Sequence, residues 1–288
     1  MIKLNTCTQT NIQSFNNEIH INFSHSLSIL NINIRSANTN FVSLAAFISQ
    51  IKFVIKIIVV TESHTDDSTI QMYNLNGYRK LFTNRDTLGG GIITYIHNSL
   101  EFNMNRHYSG IHETHETLFF NLKCPGNPPL SINFLCVYVP HRRFIPKFVE
   151  YLGKLPKGII RKNLLVIGDI NACGQRDGKS SEFRTLYNFL ATKNYTQLIE
   201  HPTYFSHQLN PSILDHVWSN INISSKSYVF SSAISDHIPS ITIFDIPAKL
   251  PKILQVFRDF SLKNKQRLEK GIINDMMKLS QEIHKKVI

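Results

Sequence analysis

Apolar positions along the chain recur in two textures. Ser28-Ile-Leu-Asn-Ile-Asn-Ile34 alternates like a strand, Phe41, Leu44, Ala45, Ile48 and Ile51 return at helical spacing, and Ile55 to Val60 is a second apolar run. The opening is therefore strand, helix, strand. Strand-like runs follow at 91–97, 118–122, 132–139, 164–167, 213–218 and 238–244, with helical patterns near 144–154 and 182–192. Helices and strands interspersed in this way predict an α/β class. Residues 1–24, rich in Asn, Thr, Ser and Gln without periodicity, are expected to form a flexible leader. The globular domain is expected over 25–246. After Pro247 and Pro251 the texture becomes a basic tail, 247–288, with Leu268, Ile272, Met276, Leu279 and Ile283 as a helix-spaced apolar stripe.

Composition narrows the function. A chain of 288 residues can bury a large core, and 42% hydrophobic residues exclude a disordered acidic polymer. The formal charge of +11 gives a field that attracts polyanions, nucleic acid among them. Nine Lys and Arg against four Asp and Glu lie between 251 and 288, which reads first as a solvated amphipathic helix or linker. Cys7, Cys124, Cys136 and Cys173 lie far apart, without the close spacing of a zinc knuckle or redox motif, so a reducing compartment is expected. The first residues lack the pattern of a secretory signal. The apolar stretch from Ile51 to Val60 is broken by Lys52 and Lys56 and is much shorter than the ~20 residues that span a bilayer. A soluble protein without a membrane partner is expected.

Polar residues then appear where buried strands should end: Asn33, Glu62, Tyr138, Asp169, Asn171, Asp215, Asp236 and His237. Each alone reads more readily as a cap or turn residue. Together they supply oxygen ligands for a hard cation, donors for a phosphate and an acid–base group, the stock of a metal-assisted phosphodiesterase.

The ordered set Asn33-Ile-Arg-Ser36, Val60-Thr-Glu-Ser-His64, Val137-Tyr-Val-Pro140, Ile167-Gly-Asp-Ile-Asn171, Ser212-Ile-Leu-Asp215 and Ser235-Asp-His237 resembles the endonuclease/exonuclease/phosphatase superfamily. The Asn-Ile-Arg-Ser form is most similar to the apurinic-like endonuclease domains of LINE-type non-LTR retrotransposons of the jockey and chicken-repeat branch. Gly89-Gly-Gly91 before a strand and Glu116 opening the next also fit that branch. Asn31 and Asn33 lie on one strand face. The Arg-Ser that follows and the 29-residue spacing to Glu62 favour Asn33.

The resemblance implies a DNase-I-like, four-layer α/β sandwich of two sheets with helices on both outer faces. It implies a Mg²⁺-dependent DNA endonuclease, with Mn²⁺ as a substitute and no organic cofactor, that nicks target DNA to leave a 3′-hydroxyl for target-primed reverse transcription. The polymerase would be joined in cis, and this chain would be the endonuclease portion of a longer element or a truncated copy. Nuclear location follows from the DNA substrate, and a cytoplasmic one otherwise. Glu62 would bind the metal with Asn33 in support and Asp236 direct or through water. Asp215 would orient His237 at the scissile phosphate, Asp169 would act on the attacking water, Asn171 would hold the phosphate, and Tyr138 would stabilise charge. The general base stays open between Asp169 and the His237 pair. Arg35, Arg85, Arg142 and Arg143, with Lys147 and His141, could form a basic rim on DNA.

Other features carry less. His112-Glu-Thr-His115 has one residue too few between its histidines for a helical zinc site. Gly89-Gly-Gly91 lacks the Lys-Ser or Lys-Thr of a phosphate loop, and Asp66-Asp67 reads as a polar turn. Trp218 and Phe183 are expected in the core. Two rivals remain: a catalytically silent, truncated nucleic-acid-binding protein, and a phosphatase or phosphodiesterase of the same superfamily.

Overall fold

In the computed structural model, residues 5–19, 26–84, 89–124, 129–173, 180–205, 211–231 and 234–246 are described. The expected basic tail lies outside them. Strands are β1 (Asn5–Thr10), β2 (Ser26–Asn33), β3 (Ile57–Thr61), β4 (Tyr78–Thr83), β5 (Ile92–His97), β6 (Glu101–Met104), β7 (Gly110–Ile111), β8 (Glu116–Cys124), β9 (Leu130–Tyr138), β10 (Leu164–Asp169), β11 (Thr196–Gln197), β12 (Asp215–Ser219), β13 (Ser225–Phe230) and β14 (Ser240–Asp245). Helices are α1 (Ile12–Glu18), α2 (Ala37–Gln50), α3 (Ile145–Lys154), α4 (Lys157–Ile160) and α5 (Ser181–Ala191).

The strands form two sheets, ordered β1-β13-β14-β2-β3-β5-β4 and β11-β12-β10-β9-β8-β6, with β7 pairing β8. Near-continuous apolar runs such as Ile57–Thr61 and Leu164–Asp169 are buried along their whole length, as strands covered on both faces must be. Alternation sorts their side chains. In β10, Leu165 and Ile167 join the main core, whereas Leu164 and Val166 pack in a second cluster with Ile145, Phe148 and Leu152 of α3 and Leu186 and Leu190 of α5. Phe15, Leu44 and Phe47, from α1 and α2, pack with the first sheet. The architecture is the expected α/β sandwich with helices on both outer faces. Among the described residues no helix is long and apolar enough to cross a membrane.

The leader is corrected. Residues 5–10 form a strand parallel to β13, with Asn5 opposite Ser225 and Thr10 opposite Phe230, and Asn11 caps α1 by accepting from the Ser14 N–H. Phe15 is fully buried, its ring edge-on to Tyr228 and Phe230 at 4.8 and 4.9 Å. A polar composition concealed this segment because an edge strand needs backbone partners more than apolar side chains, and a single aromatic anchors the short helix.

One glycine is required by contact. Gly168 has φ 139°, and a β-carbon there would overlap the Val137 carbonyl oxygen on the neighbouring strand. It lets β10 press against β9 one residue before Asp169.

Phe15→Ala should lower the unfolding free energy by about 3–5 kcal/mol in urea titration, the cost of deleting a buried aromatic. Gly168→Ala should cost at least about 2 kcal/mol through strained φ and overpacking. A midpoint unmoved by Phe15→Ala would restore the loose leader.

Candidate active site

Strand register builds the site. Glu116 lies opposite Tyr138, Tyr138 opposite Asp169, and Asp169 opposite Asp215, so one transverse row crosses β8, β9, β10 and β12. Alternation gives each member the face shared with the core residues Leu118, Cys136, Ile167 and Val217 two positions away. Four polar side chains therefore line one level of the second sheet and face the first.

From the first sheet, β2 ends at Asn33. Its Nδ2 donates to Glu62 Oε1 and to Asp169 Oδ2, both at 2.8 Å, while its Oδ1 accepts the Arg35 N–H at 3.0 Å. The backbone donor identifies Oδ1 as the oxygen, so nitrogen is the atom turned toward the carboxylates. Asn31, two residues earlier, instead donates to the His216 carbonyl at 3.4 Å.

Glu62 sits in left-handed conformation at φ 51°, as do Arg35, His64 and Asn171 at 52°, 50° and 54°. Such strain for non-glycine residues is held only when surrounding bonds over-determine it. Here the Ser36 N–H donates to the Glu62 carbonyl at 2.8 Å, Ala37 N–H to the Ser63 carbonyl at 2.8 Å, and the Ser63 and His64 N–H groups to Gly91 and Gly90 carbonyls. The Gly91 N–H in turn donates to buried Glu116 Oε2 at 2.7 Å, which joins the glutamate loop to the transverse row. Asn171 is fixed similarly. Its N–H donates to Asp169 Oδ1 and its Nδ2 to the Val139 carbonyl, both at 2.9 Å.

His237 and Asp215 form a buried pair, Nδ1 to Oδ2 at 2.7 Å, with exposures of 2% and 0%. Thr203 Oγ1 accepts the Asp215 N–H, Ser235 Oγ accepts the His237 N–H and donates to the Asn33 carbonyl, and the Tyr204 ring lies 4.9 Å from the His237 ring. Burial alone would pull the imidazole down, but Asp215, with Asp169 and Asp236, pushes it up to about 9. Asp169 is raised as well, by burial first and then by Asp215 and Glu62, with His237 and the Asn33 amide opposing. The Tyr138 hydroxyl is raised by burial and by the carboxylates around it, and it hydrogen-bonds Glu62. It stays a proton donor at neutral pH.

The predicted residues separate into those that meet and those that do not. Asn33, Glu62, Tyr138, Asp169, Asn171, Asp215 and His237 are joined by the contacts above. Asp236 pairs with Arg35 at 2.9 Å, at the rim. Arg142 and Arg143 are exposed in the turn after β9, the Arg143 guanidinium 4.7 Å over the Phe144 ring. Arg85 lies outside the described residues. Trp218 is buried and Phe183 packs beside it, as expected of core residues. The histidines of the rejected zinc pattern stack on each other at 4.4 Å, and burial drives His115 down to about 4.

His64, Thr203, Tyr204, Ser235 and Glu116 join the site only through tertiary contacts. His64 Nε2 stands 3.6 Å from Glu62 Oε2. Ser235 and His64 were inside recognised motifs and could have been found there, whereas nothing local marks Thr203 or Tyr204.

The site gathers Glu62, Glu116, Asp169, Asp215 and Asp236 against His237 and Arg35, an acid-rich cluster in a chain of +11. Oxygen donors predominate, and the Glu62 side chain is 14% exposed. That donor set fits a hard divalent cation. Asp169, Asp215 and His237 also converge within 4.8 Å, but His237 and Asp215 already satisfy each other, so this trio is an ion-paired network in preference to an ion cage.

A family model described as endonuclease-reverse transcriptase matches residues 132–241. No curated protein matches the chain in sequence. Among solved structures, the endonuclease domain of TRAS1, a telomere-specific non-LTR retrotransposon, superposes with TM-score 0.60 at 15% identity, over 77% of this chain and 99% of that one. The APE2 catalytic domain of Xenopus laevis gives 0.59 at 12% identity, over 78% and 94%. The 3′ phosphatase NExo from Neisseria, bound to product DNA hairpin, gives 0.53 at 14%, over 76% and 99%.

The pH response of stability follows from His237. Raised above its unfolded value near 6.5, it contributes stability that is complete below about pH 6.5 and lost as pH rises through about 9. Asp169, also raised, acts in the same direction from the acid side. The urea midpoint of the metal-free chain should therefore fall between pH 6.5 and 9.5, and fall less in His237→Gln. Equal slopes in both proteins would show that this pair does not hold a proton.

Proposed function

We propose that this chain, a protein of the endonuclease/exonuclease/phosphatase superfamily, is a Mg²⁺-dependent DNA endonuclease that nicks one strand and leaves a 3′-hydroxyl for reverse transcription by a polymerase joined to it. The observation that carries the reading is the meeting of the row Tyr138, Asp169 and Asp215 with Asn33 and Glu62 across the two sheets. The endonuclease-reverse transcriptase match over residues 132–241 and the likeness to a non-LTR retrotransposon endonuclease support the substrate. The positive charge supports a polyanion.

Glu62 is the residue to hold the ion, with Asp236 contributing from the rim and Asn33 fixing Glu62 through its amide. When bound, the cation neutralises charge on the phosphate and lowers the cost of the leaving oxygen. The chain's own groups do the rest. Asn171 and protonated Tyr138 turn their donors from Asp169 and Glu62 to phosphate oxygens, where charge grows in the transition state. Asp215 orients His237 and keeps it cationic, a donor toward the phosphate. Asp169, raised by its surroundings, is suited to take a proton from the attacking water. Arg35, Arg85, Arg142 and Arg143 contact the DNA backbone.

The test is conversion of supercoiled plasmid to open circles with Mg²⁺, Mn²⁺ or EDTA. Nicking should require metal, and His237→Ala and Glu62→Ala should each lower it by on the order of 10²–10⁴-fold. DNA affinity should fall steeply with salt in all three proteins. Folded wild type that binds DNA without nicking would make the chain a silent binding protein. Release of phosphate from 3′-phosphoryl ends without internal nicking would make it a phosphatase.

A further inference from the structure

On the face of β12 turned away from Asp215, His216 is fully buried and unclaimed by the chemistry above. Its tautomer is set by its neighbours. Gln197 Oε1 accepts the N–H groups of Leu198 and Val217 at 3.0 and 3.1 Å, so the Gln197 oxygen is identified by two backbone donors. The amide nitrogen is then the atom that meets His216 Nδ1. An amide nitrogen only donates, so Nδ1 carries the lone pair and the ring proton is on Nε2. That proton goes to the Ala172 carbonyl at 2.7 Å. The ring packs beside Trp218 and Phe183, its centroid 6.1 Å from each with interplanar angles of 9° and 28°, and those two rings lie 6.4 Å from each other.

Ala172 closes the turn that presents Asn171. The same turn is held by the Ile170 N–H on the Leu214 carbonyl at 3.0 Å and by Asn171 Nδ2 on the Val139 carbonyl. The His216 bond is thus the restraint on the far side of a residue kept at φ 54°. We infer that His216, locked as the Nε2–H tautomer by Gln197, is a positioning residue that holds the Asn171 turn in register with Asp169. This rests on the reading of Asn171 as a phosphate-binding group.

The test pairs His216→Phe, which keeps the ring and loses the donor, with His216→Gln, which restores a donor for Ala172. The Phe variant should lower kcat for nicking on the order of tenfold or more with KM for DNA little changed, and the Gln variant should recover most of it. Loss in both variants that simply tracks their stability would overturn the inference. Nitrogen-15 NMR of the wild type reads the lock without activity: Nε2 should be protonated and Nδ1 bare, and the opposite tautomer would overturn it. The Asn171 side-chain amide resonance should move in His216→Phe and return in His216→Gln, and an unmoved resonance would also overturn it. If His216→Phe does not fold, Gln197→Leu takes its place, since it frees Nδ1 and should move the same resonance. A wild type that does not nick but keeps the tautomer and the Asn171 response would refute the endonuclease reading and leave the positioning bond standing.

Discussion

A single amide group joins the two halves of the site. Asn33 ends a strand of one sheet, and its nitrogen is shared between Glu62 of that sheet and Asp169 of the other. Two carboxylates that would repel each other are held a fixed distance apart by a neutral donor, which carries no charge of its own to bury. Everything else is arranged to keep that bridge: the Arg35 N–H holds the Asn33 oxygen, Ser235 holds its carbonyl, and Gly168 lets Asp169 approach. Had Asn33 been an aspartate, three carboxylates would face one another in a buried space.

The electrostatics follow from that geometry. Burial, then Asp215 and Glu62, raise Asp169, burial and the carboxylates around it raise Tyr138, and His237 is charged because Asp215 compensates its burial. The outcome is a cluster in which Asp169, Tyr138 and His237 all hold their protons more tightly than in water, in a chain whose overall field draws polyanions. An anionic centre within a cationic protein attracts polyanions at long range and cations locally. The same loops carry strain, where backbone bonds to Gly90, Gly91 and Ser36 hold Glu62 and its neighbours at positive φ.

The strands that carry the site were legible because buried strands of a two-layer sandwich are apolar on both faces, so a polar residue ending such a run is conspicuous. Glu62 and Asp169 are of this kind, and Asp215 opens such a run at β12. Less legible was the segment 5–18, since its partner β13 is distant in the chain and its own residues are mostly polar. Glu116 was legible as a strand start, but its bond to Gly91 depends on two strands of different sheets meeting. Thr203, Gln197 and His216 act through hydrogen bonds to backbone groups, which leave no pattern of spacing or composition.

What the amino-acid sequence determined alone was local: alternation chose which residues face inward, helical spacing set the covering helices, and the ordered motifs supplied the chemical groups. Only the tertiary structure decided the row Glu116, Tyr138, Asp169 and Asp215, because a shift of one residue in any pairing would turn a member to the opposite face. It decided also that Asn33 offers nitrogen to its carboxylates, since the atom presented depends on which backbone donor takes the oxygen. Side-chain identity is a property of the chain, but register and hydrogen-bond polarity belong to the pairing of segments far apart in it.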